Sequence, residues 1–401
     1  MGDILFLAHR IPYPPDRGDK IRGFHLLRHL SARARVHLLA FADVEGDLAH
    51  DEALSHHSAS RTVLWRSGTQ ARAAARALLT RRPVSLAAFD DRRMRDAVSA
   101  ALSRNPIDTI YVFSSQMAQY LPADIRAKLV MDFVDMDSAK FAAYADAARG
   151  PMRWMLRREA RLLQRFEGAV ARRADASLFV SRDEAALFRA RTGADRVCVI
   201  ENGIDTDHYD PAARFAPVDR DGPLIVFTGQ MDYRPNAEGV AWFAEAILPR
   251  IRHAHPGARF AIVGRNPGDA VRALAKRPGV LVTGEVPDVR GWLAAASVVV
   301  APLRLARGIQ NKVLEGMAMA RPVVASVAAA QGIDHGGTIA VGESEAALAE
   351  AAASLLADPA RAAELGAAAR RQVQARYAWP ARLADLDAIL GIAPNAPRAA
   401  A

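Results

Sequence analysis

Apolar residues along this chain fall in short runs bounded by Gly, Pro and polar residues, and most of the runs are separated by stretches whose apolar positions recur every three or four residues. Short runs of this kind predict strands buried on both faces, and the intervening period predicts amphipathic helices. In the first half the runs are "DILFLAH" from Asp3, "RVHLLAFA" from Arg35, "TVLW" from Thr62, "DTIYVFS" from Asp108, "KLVMDFV" from Lys128, "ASLFVS" from Ala176 and "RVCVIEN" from Arg196. Strand and helix in alternation predict a doubly wound parallel sheet. The rhythm breaks at "DTDHYDPAARFAPVDRDGP" from Asp205, which is rich in Pro and Asp and reads as a linker. It restarts with "LIVFTG" from Leu224 and a helical pattern, "AEGVAWFAEAILPRIRHAH", from Ala237. "RFAIVG", "VLVTG", "SVVVAPL", "PVVAS" and "TIAVG" follow, so a second α/β domain of similar kind is expected. The tail from Pro359 is helical with a kink at Pro380, and "APNAPRAAA" is expected to fray.

A length of 401 residues agrees with two domains better than with one core. The longest uncharged apolar run, "WLAAASVVVAPL" from Trp292, has twelve residues, short of the roughly 18 to 20 that a membrane-crossing helix needs. The first residues carry a short apolar run with no basic leader before it, which suits a first strand better than a secretion signal. Cys198 is the one cysteine, so no intrachain disulfide can form. Together these features lead to the expectation of a cytoplasmic protein. The net charge is +9, but the basic residues are spread along the chain, and 48 of the 53 are arginine. That usage fits a genome-wide bias as well as an anionic ligand or surface. No aromatic-interleaved basic cluster or docking module for nucleic acid is present, so no nucleic-acid partner is expected.

The chemistry concentrates in "ARGIQNKVLEGMAMARPVVAS", from Ala306 to Ser326, which lies between two strand-like runs and reads as strand, loop, helix, strand. The loop leaves the carboxyl end of a parallel strand, where open α/β sheets bind their ligands. Gly308 allows close backbone approach, and Gln310 or Asn311 can cap the helix that follows. The free N–H groups of a helix start suit a diphosphate, Lys312 adds a mobile charge, and Glu315, near the Lys312 face, could hold a ribose diol. The same spacing also fits a capped helix carrying an i, i+3 ion pair.

These residues, with "VTGEVPDVRGWLAAASVVVAPL" before them and "VIENGIDTDHY" at the linker, resemble the donor-binding domain of glycosyltransferase family 4. "LAHRIPYPPDRGDKIRGFHLLRHL", "VMDFVDMDSAKF" and "FTGQMDYRPNAEGVAWF" narrow the resemblance to sugar transferases associated with exopolysaccharide and PEP-CTERM systems. It runs from about residue 3 to 385. The resemblance implies the GT-B fold: two Rossmann-like, doubly wound domains facing a central cleft. Residues 1–215 would form the acceptor-side domain, 216–375 the nucleotide-sugar domain, and 376–401 a C-terminal helix packing back on the first domain, with a frayed tail. It implies a retaining transfer from a nucleotide-diphosphate sugar, as co-substrate, to a polysaccharide or polyprenyl-diphosphate-linked acceptor, with no other cofactor and no obligatory metal.

Residue by residue, the resemblance places Gly18, Gly229, Arg234, Arg265, Val286, Arg307, Gly308, Ile309, Asn311, Lys312, Val313 and Glu315 at the donor. Asp16, Arg17, Asp19 and Lys20 fall on the acceptor side, and Asp135, Arg234 and Lys312 at the reacting centre. Glu315 matches the second of two family glutamates eight positions apart, whereas the first falls on Arg307. Gln230 stands where the family usually has an arginine, with Arg234 and Arg265 as substitute cations. Asp135 stands where many relatives carry a histidine. "DMD", Asp135 to Asp137, also spells the metal motif of the other large glycosyltransferase fold, GT-A, but a second complete α/β domain argues against that fold.

One further stretch, "GPMRWMLRREARLLQRFEGAVARRAD" from Gly150, reads as an amphipathic helix with dense arginine on its polar face. It suits peripheral contact with an anionic inner-membrane surface or a lipid diphosphate, and equally a solvated face held on the sheet by Leu156, Leu163 and Phe166. A nucleotide-sugar epimerase and a noncatalytic nucleotide-sugar-binding scaffold are the alternatives to a transferase.

Overall fold

The computed structural model describes residues 2–66, 76–218, 221–306 and 308–392. It contains two compact units, residues 1–202 with 382–401, and residues 203–381. The first holds β1 (Asp3–Ala8), β2 (Val36–Ala42), β3 (Ser60–Trp65), β4 (Ile107–Phe113), β5 (Lys128–Val134), β6 (Ala176–Phe179) and β7 (Val197–Val199). They form one sheet in the order β3-β2-β1-β4-β5-β6-β7, and every pairing is parallel. The second holds β8 (Leu224–Thr228), β9 (Arg259–Val263), β10 (Val280–Gly284), β11 (Val298–Ala301), β12 (Val323–Ser326) and β13 (Ala340–Gly342). Their order is β10-β9-β8-β11-β12-β13, again all parallel. The strands coincide with the apolar runs because a parallel sheet covered by helices buries both faces, and β1, β8 and β12 are buried at every position. Each unit is a Rossmann-like, doubly wound domain, as the alternation of runs and helices predicts.

The long helix expected from Ala237 starts earlier, at Arg234, and is interrupted. Arg234–Trp242 and Leu248–Ala254 are α-helical, but Phe243–Ile247 between them is a π-helix. Pro249 explains the local widening, because it has no N–H to give to the preceding turn. The segment from Asp205, read as a linker, packs on the second unit. Arg370 donates to the Tyr209 carbonyl at 2.7 Å, and Ile204 bonds Tyr377 through its N–H at 2.8 Å and Trp379 through its carbonyl at 3.3 Å. Its Pro and Asp content and lack of periodicity made this stretch look like a linker, but these bonds tie its backbone to the body of the unit.

A buried polar knot organises the first unit. The guanidinium of Arg22, 1% exposed on the Gly18–Ser31 helix, donates to Asp132 of β5 at 3.0 and 2.8 Å, to the Ile200 carbonyl at 2.9 Å and to Asn202 at 2.9 Å. The Tyr111 hydroxyl donates to the same Asp132 oxygen at 2.8 Å. Burial, and then the Asp132 charge, pushes the Tyr111 phenol well above its usual range. One ion pair therefore joins the first helix, β4, β5 and the end of the β7 segment. At the other end of that helix His29 and Arg33 both bond Asp387 of the Ala384–Leu390 helix, the histidine at 2.8 Å. Burial, with the Arg33 charge, brings His29 down to about 4.

A second buried carboxyl, Glu167, accepts from the Ser138 N–H at 3.0 Å and its hydroxyl at 2.5 Å, joining the Gly150–Arg173 and Asp137–Ala147 helices. Burial pushes it up to about 7 from 4.5 despite these bonds.

Two outcomes follow. Arg22→Ala leaves the Asp132 charge buried and unpaired and should cost about 3–5 kcal/mol in urea denaturation. The double change Arg22→Met with Asp132→Asn should cost less than the single one, and equal losses would sink this account of the knot. For Glu167 the folded carboxyl holds its proton to higher pH than the unfolded one. Its contribution is therefore fully present below about pH 4.5 and declines as pH rises through about 7. Glu167→Gln should stabilise the protein at pH 8 by up to about 3 kcal/mol and have little effect near pH 4; a gain that does not depend on pH would contradict the assignment.

Candidate functional site

In the second unit the chain runs from β8 outward to β9 and β10, then returns to the other side of β8 at β11. That reversal is a topological switch point, and the loops leaving the strands there diverge. A cavity of about 480 Å³ opens at this end, within the range of small-molecule sites. Thr228, Gly229 and Gln230 after β8, Gly264 and Arg265 after β9, and Glu285 and Val286 after β10 form one side. Ile309, Gln310 and the first turns of the Asn311–Ala318 helix form the other.

The backbone at this end is tight. Gly264 has φ +152, and a β-carbon built on it would fall 1.7 Å from the Gly229 carbonyl oxygen. The turns after β8 and β9 are therefore in mutual backbone contact, which only glycine permits. Gly308 has φ +65 with nothing within 4 Å of a built β-carbon, so the left-handed turn, and not crowding by protein, favours glycine there.

The charged groups come from separate elements. Glu315 lies at the cavity wall and accepts from the hydroxyls of Thr228, at 3.3 Å, and Tyr209. Burial raises its carboxyl, and Lys312 with the two hydroxyls pulls the other way. Burial and then the Glu315 charge raise the Tyr209 phenol. Burial lowers the Lys312 ammonium, with Glu315 opposing; it lies 5.5 Å over the Phe227 ring and 3.5 Å from the Gln310 amide oxygen. Gln230, its amide oxygen turned to Arg265, accepts from the guanidinium Nε at 2.6 Å. Asn236, 4% exposed, donates to the Gln230 carbonyl at 2.8 Å. Its buried Oδ1 has no partner among the described residues.

Of the donor-side residues expected from sequence, Gly229, Arg265, Val286, Ile309, Asn311, Lys312 and Glu315 line this cavity. Val313 is fully buried in the hydrophobic core beneath it and offers no surface to a ligand. Neither Gln310 nor Asn311 caps the helix through its side chain: the cap is Gln310, with no side-chain hydrogen bond. Arg234 does not line the cavity; its side chain is 87% exposed and ion-paired with Glu238 at 2.6 Å, one helical turn away. Arg307 lies outside the described residues.

In the first unit Asp16, Arg17 and Gly18 are exposed before and at the start of the first helix. Asp19 is held by Arg10, by Arg17 at 3.0 Å and by His9 at 3.3 Å. Burial alone would raise its carboxyl, but the His9 hydrogen bond and these cations hold it well below the usual range. Lys20 points inward, 6% exposed, and pairs with Asp47 at 2.7 Å, so its charge is neutralised inside the fold. Asp135 is exposed after β5, just past Val134, whose φ of +69 is unusual for a β-branched residue. Partial desolvation, then the Glu184 and Asp137 charges, raises the Asp135 carboxyl. Asp137 is taken by Ser115 at 2.8 Å and Gln116 at 3.2 Å. Among the described residues no group of three or more His, Cys, Asp or Glu is placed to hold a metal ion.

Sequence reasoning missed Tyr209, Thr228 and Asn236 in the cavity region and His9 beside Asp19. Thr228 and His9 carry a usable signal, since each is a polar residue at the carboxyl end of an apolar run. Tyr209 sits in the stretch read as linker.

Two all-parallel, doubly wound domains in one chain define the GT-B class of fold. A family model described as Glycosyltransferase Family 4 matches residues 22–208, and one described as Glycosyl transferases group 1 matches residues 222–358. Both models describe glycosyl transferases, and one matches most of each unit. It is similar to the alpha-maltose-1-phosphate synthase of Mycolicibacterium smegmatis, at 32% identity over 51% of this chain and 60% of that protein. It is also similar to the GDP-mannose-dependent alpha-(1-6)-phosphatidylinositol monomannoside mannosyltransferase of the same organism, at 30% identity over 54% and 62%. The chain thus spans about three fifths of the length of these curated relatives. Anabaena HepE, solved in complex with UDP, has the same fold, with a TM-score of 0.59 at 15% identity over 97% of this chain and 99% of its own.

Gly264→Ala should displace the Gly229–Gln230 turn and cost about 3 kcal/mol. Urea denaturation checks this, and unchanged stability would show that the two turns yield easily.

Proposed function

We propose that this protein is a retaining glycosyltransferase that moves a sugar from a nucleotide-diphosphate donor to a growing cell-surface polysaccharide or a polyprenyl-diphosphate-linked glycan. On this reading it works in the cytoplasm, peripherally at the inner face of the membrane, and needs no obligatory metal. The observation that carries the reading is the convergence, in one cavity at the switch point, of Lys312, a helix start with no side-chain cap and the Glu315 carboxyl on one wall with Arg265 on the other. Cations and free N–H groups suit a diphosphate, and a carboxylate suits a ribose diol. The names of the relatives, one GDP-mannose-dependent and another a maltose-1-phosphate synthase, support a sugar-transfer chemistry.

In this mechanism the bond from the sugar anomeric carbon to the diphosphate oxygen breaks while the acceptor oxygen bonds to that carbon. The acceptor proton leaves on the departing diphosphate. Charge grows on the leaving oxygen, so a fixed cation and helix N–H groups supply most of the stabilisation. Lys312 is desolvated in the free protein, and an incoming diphosphate restores a counter-charge to it. Glu315 is held in place by Thr228 and Tyr209 before any ligand arrives. Asp135 and the Asp16, Arg17 and Asp19 loop are assigned to the acceptor side.

The test is a thermal-shift panel of UDP-, GDP-, TDP- and CMP-sugars, followed by nucleotide release with a lipid-linked acceptor in EDTA and by the anomeric configuration of the product. One donor should raise the melting temperature, with about tenfold or greater weakening in Glu315→Ala. Turnover should survive EDTA and retain configuration. Absence of any nucleotide binding sinks the cavity assignment, and binding without acceptor-dependent release replaces the transferase reading with an epimerase or a scaffold.

A further inference from the structure

A second cavity lies in the first unit, between the outer face of the Gly150–Arg173 helix and the end of the Arg182–Thr192 helix. Its volume is about 390 Å³, and Arg161, Arg165, Arg172 and Arg191 line it with Gln164 and Thr192. No carboxylate is among the lining residues. Gly168 forms part of the floor, and a β-carbon built there would lie 3.6 Å from Arg172 and 3.7 Å from Thr192.

Arginine is abundant in this chain, so its presence alone means little. Their convergence is what differs. Some exposed arginines sit beside a local carboxylate, as Arg93 on Asp91 at 2.6 Å, Arg277 on Glu245 at 2.7 Å and Arg290 on Asp288 at 2.8 Å, and others such as Arg361 and Arg371 stand exposed on a helix outside this cavity, whereas here four line one cavity. Among the described residues, none of the four arginines at this cavity has an ion-pair partner. Arg161 donates to the Arg157 carbonyl at 3.3 Å, and Gln164 donates to the Arg191 carbonyl at 3.1 Å, which holds the two helix segments together beneath the guanidinia. A folded chain that brings four like charges to one concavity without a counter-charge leaves their field for an external anion.

Helical geometry adds a direction. Residues 161, 165 and 172 are spaced by four and seven, so they form one stripe on the face opposite the buried Leu163, Glu167 and Val170. Trp154, seven positions before Arg161, continues the same stripe and is 58% exposed, with Met152 and Met155 also exposed in the first turns. An exposed tryptophan in water, in line with an arginine cavity, matches the order of apolar groups and phosphates at a bilayer surface.

We propose that the cavity formed by Arg161, Arg165, Arg172 and Arg191 is a phosphate-binding site distinct from the donor cavity. Guanidinium forks match phosphate oxygens in pairs, and four of them suit a phosphomonoester, a phosphodiester or a diphosphate. The phosphate reaches the site either as the headgroup of an anionic lipid or as a soluble phosphate compound. With a lipid, Trp154 and its neighbours enter the headgroup region as the phosphate enters the cavity. The site stands apart from the donor reading, since it belongs to the other unit.

The test uses the full chain and the variant Arg165→Gln with Arg172→Gln, both exposed positions, with Arg361→Gln and Arg371→Gln, exposed on the second unit, as a charge-matched control. Co-sedimentation is measured with phosphatidylcholine vesicles with and without phosphatidylglycerol, and calorimetric titration with inorganic pyrophosphate. Binding to the anionic vesicles alone, weakened about tenfold or more by the cavity variant and little by the control, supports the proposal with a lipid source. Trp154→Ala should then weaken vesicle binding too. Pyrophosphate binding lost in the cavity variant, without vesicle binding, supports it with a soluble source. Equal losses in cavity variant and control show diffuse charge and overturn it, as does the absence of both kinds of binding. Glu315→Ala should leave either signal intact, which separates failure of this site from failure of the donor assignment.

Discussion

Parallel strand pairing is the constraint on which the rest depends. Strands that all run one way must be joined by crossovers, so every loop leaving a strand emerges at the same end of its sheet. In the second unit that rule brings the ends of β8, β9 and β10 and the loop after β11 to one place, and the reversal of strand order at β8 opens a gap among them. The cavity needs no dedicated machinery beyond residues suited to line it. The close contact of Gly229 and Gly264 is the sharpest local consequence, because two adjacent strand ends must turn in the space of one.

Buried charge serves two different purposes in this molecule. Arg22 and Asp132 are paired and satisfied by further hydrogen bonds, so the knot specifies how the first helix, β4, β5 and the segment after β7 meet. Glu315 and Lys312 are less complete. Burial disfavours the charged form of each, and among the described residues the carboxyl is held by two hydroxyls and no direct salt bridge. A structural pair that is already satisfied has little to gain from a ligand; an unsatisfied one has much. The arginine cavity is a third case, with four exposed guanidinium groups gathered in one concavity, unlike Arg93, Arg277 and Arg290, each of which is paired with a nearby carboxylate.

Positions that look equivalent in a motif part company once packed. Lys20 and Asp19 are neighbours in "PPDRGDKIR", yet Lys20 is neutralised inside by Asp47 while Asp19 gathers Arg10, Arg17 and His9 at the end of β1. Arg234, the substitute cation expected near the leaving group, starts a helix and pairs along it, whereas Arg265 from the next turn lines the cavity with Gln230. Helix direction accounts for the difference, since a side chain in the first turn of that helix is free to swing outward to its i+4 neighbour.

The sequence by itself determined the thirteen strands found among the described residues, their grouping into two α/β units, and the segment from Gly308 to Glu315 beside the cavity. These are local properties: an apolar run between breakers must be buried wherever the chain goes, and a loop, helix start and carboxylate within eight residues must stay together. The tertiary structure alone decided that Tyr209 and Thr228 hold Glu315, that Arg22 meets Asp132 across 110 positions, and that Arg191 joins the arginines of an earlier helix. Each of those contacts links residues on different crossovers. Periodicity carries no information about such meetings, because they are set by strand order and by the packing of one covered face against the next.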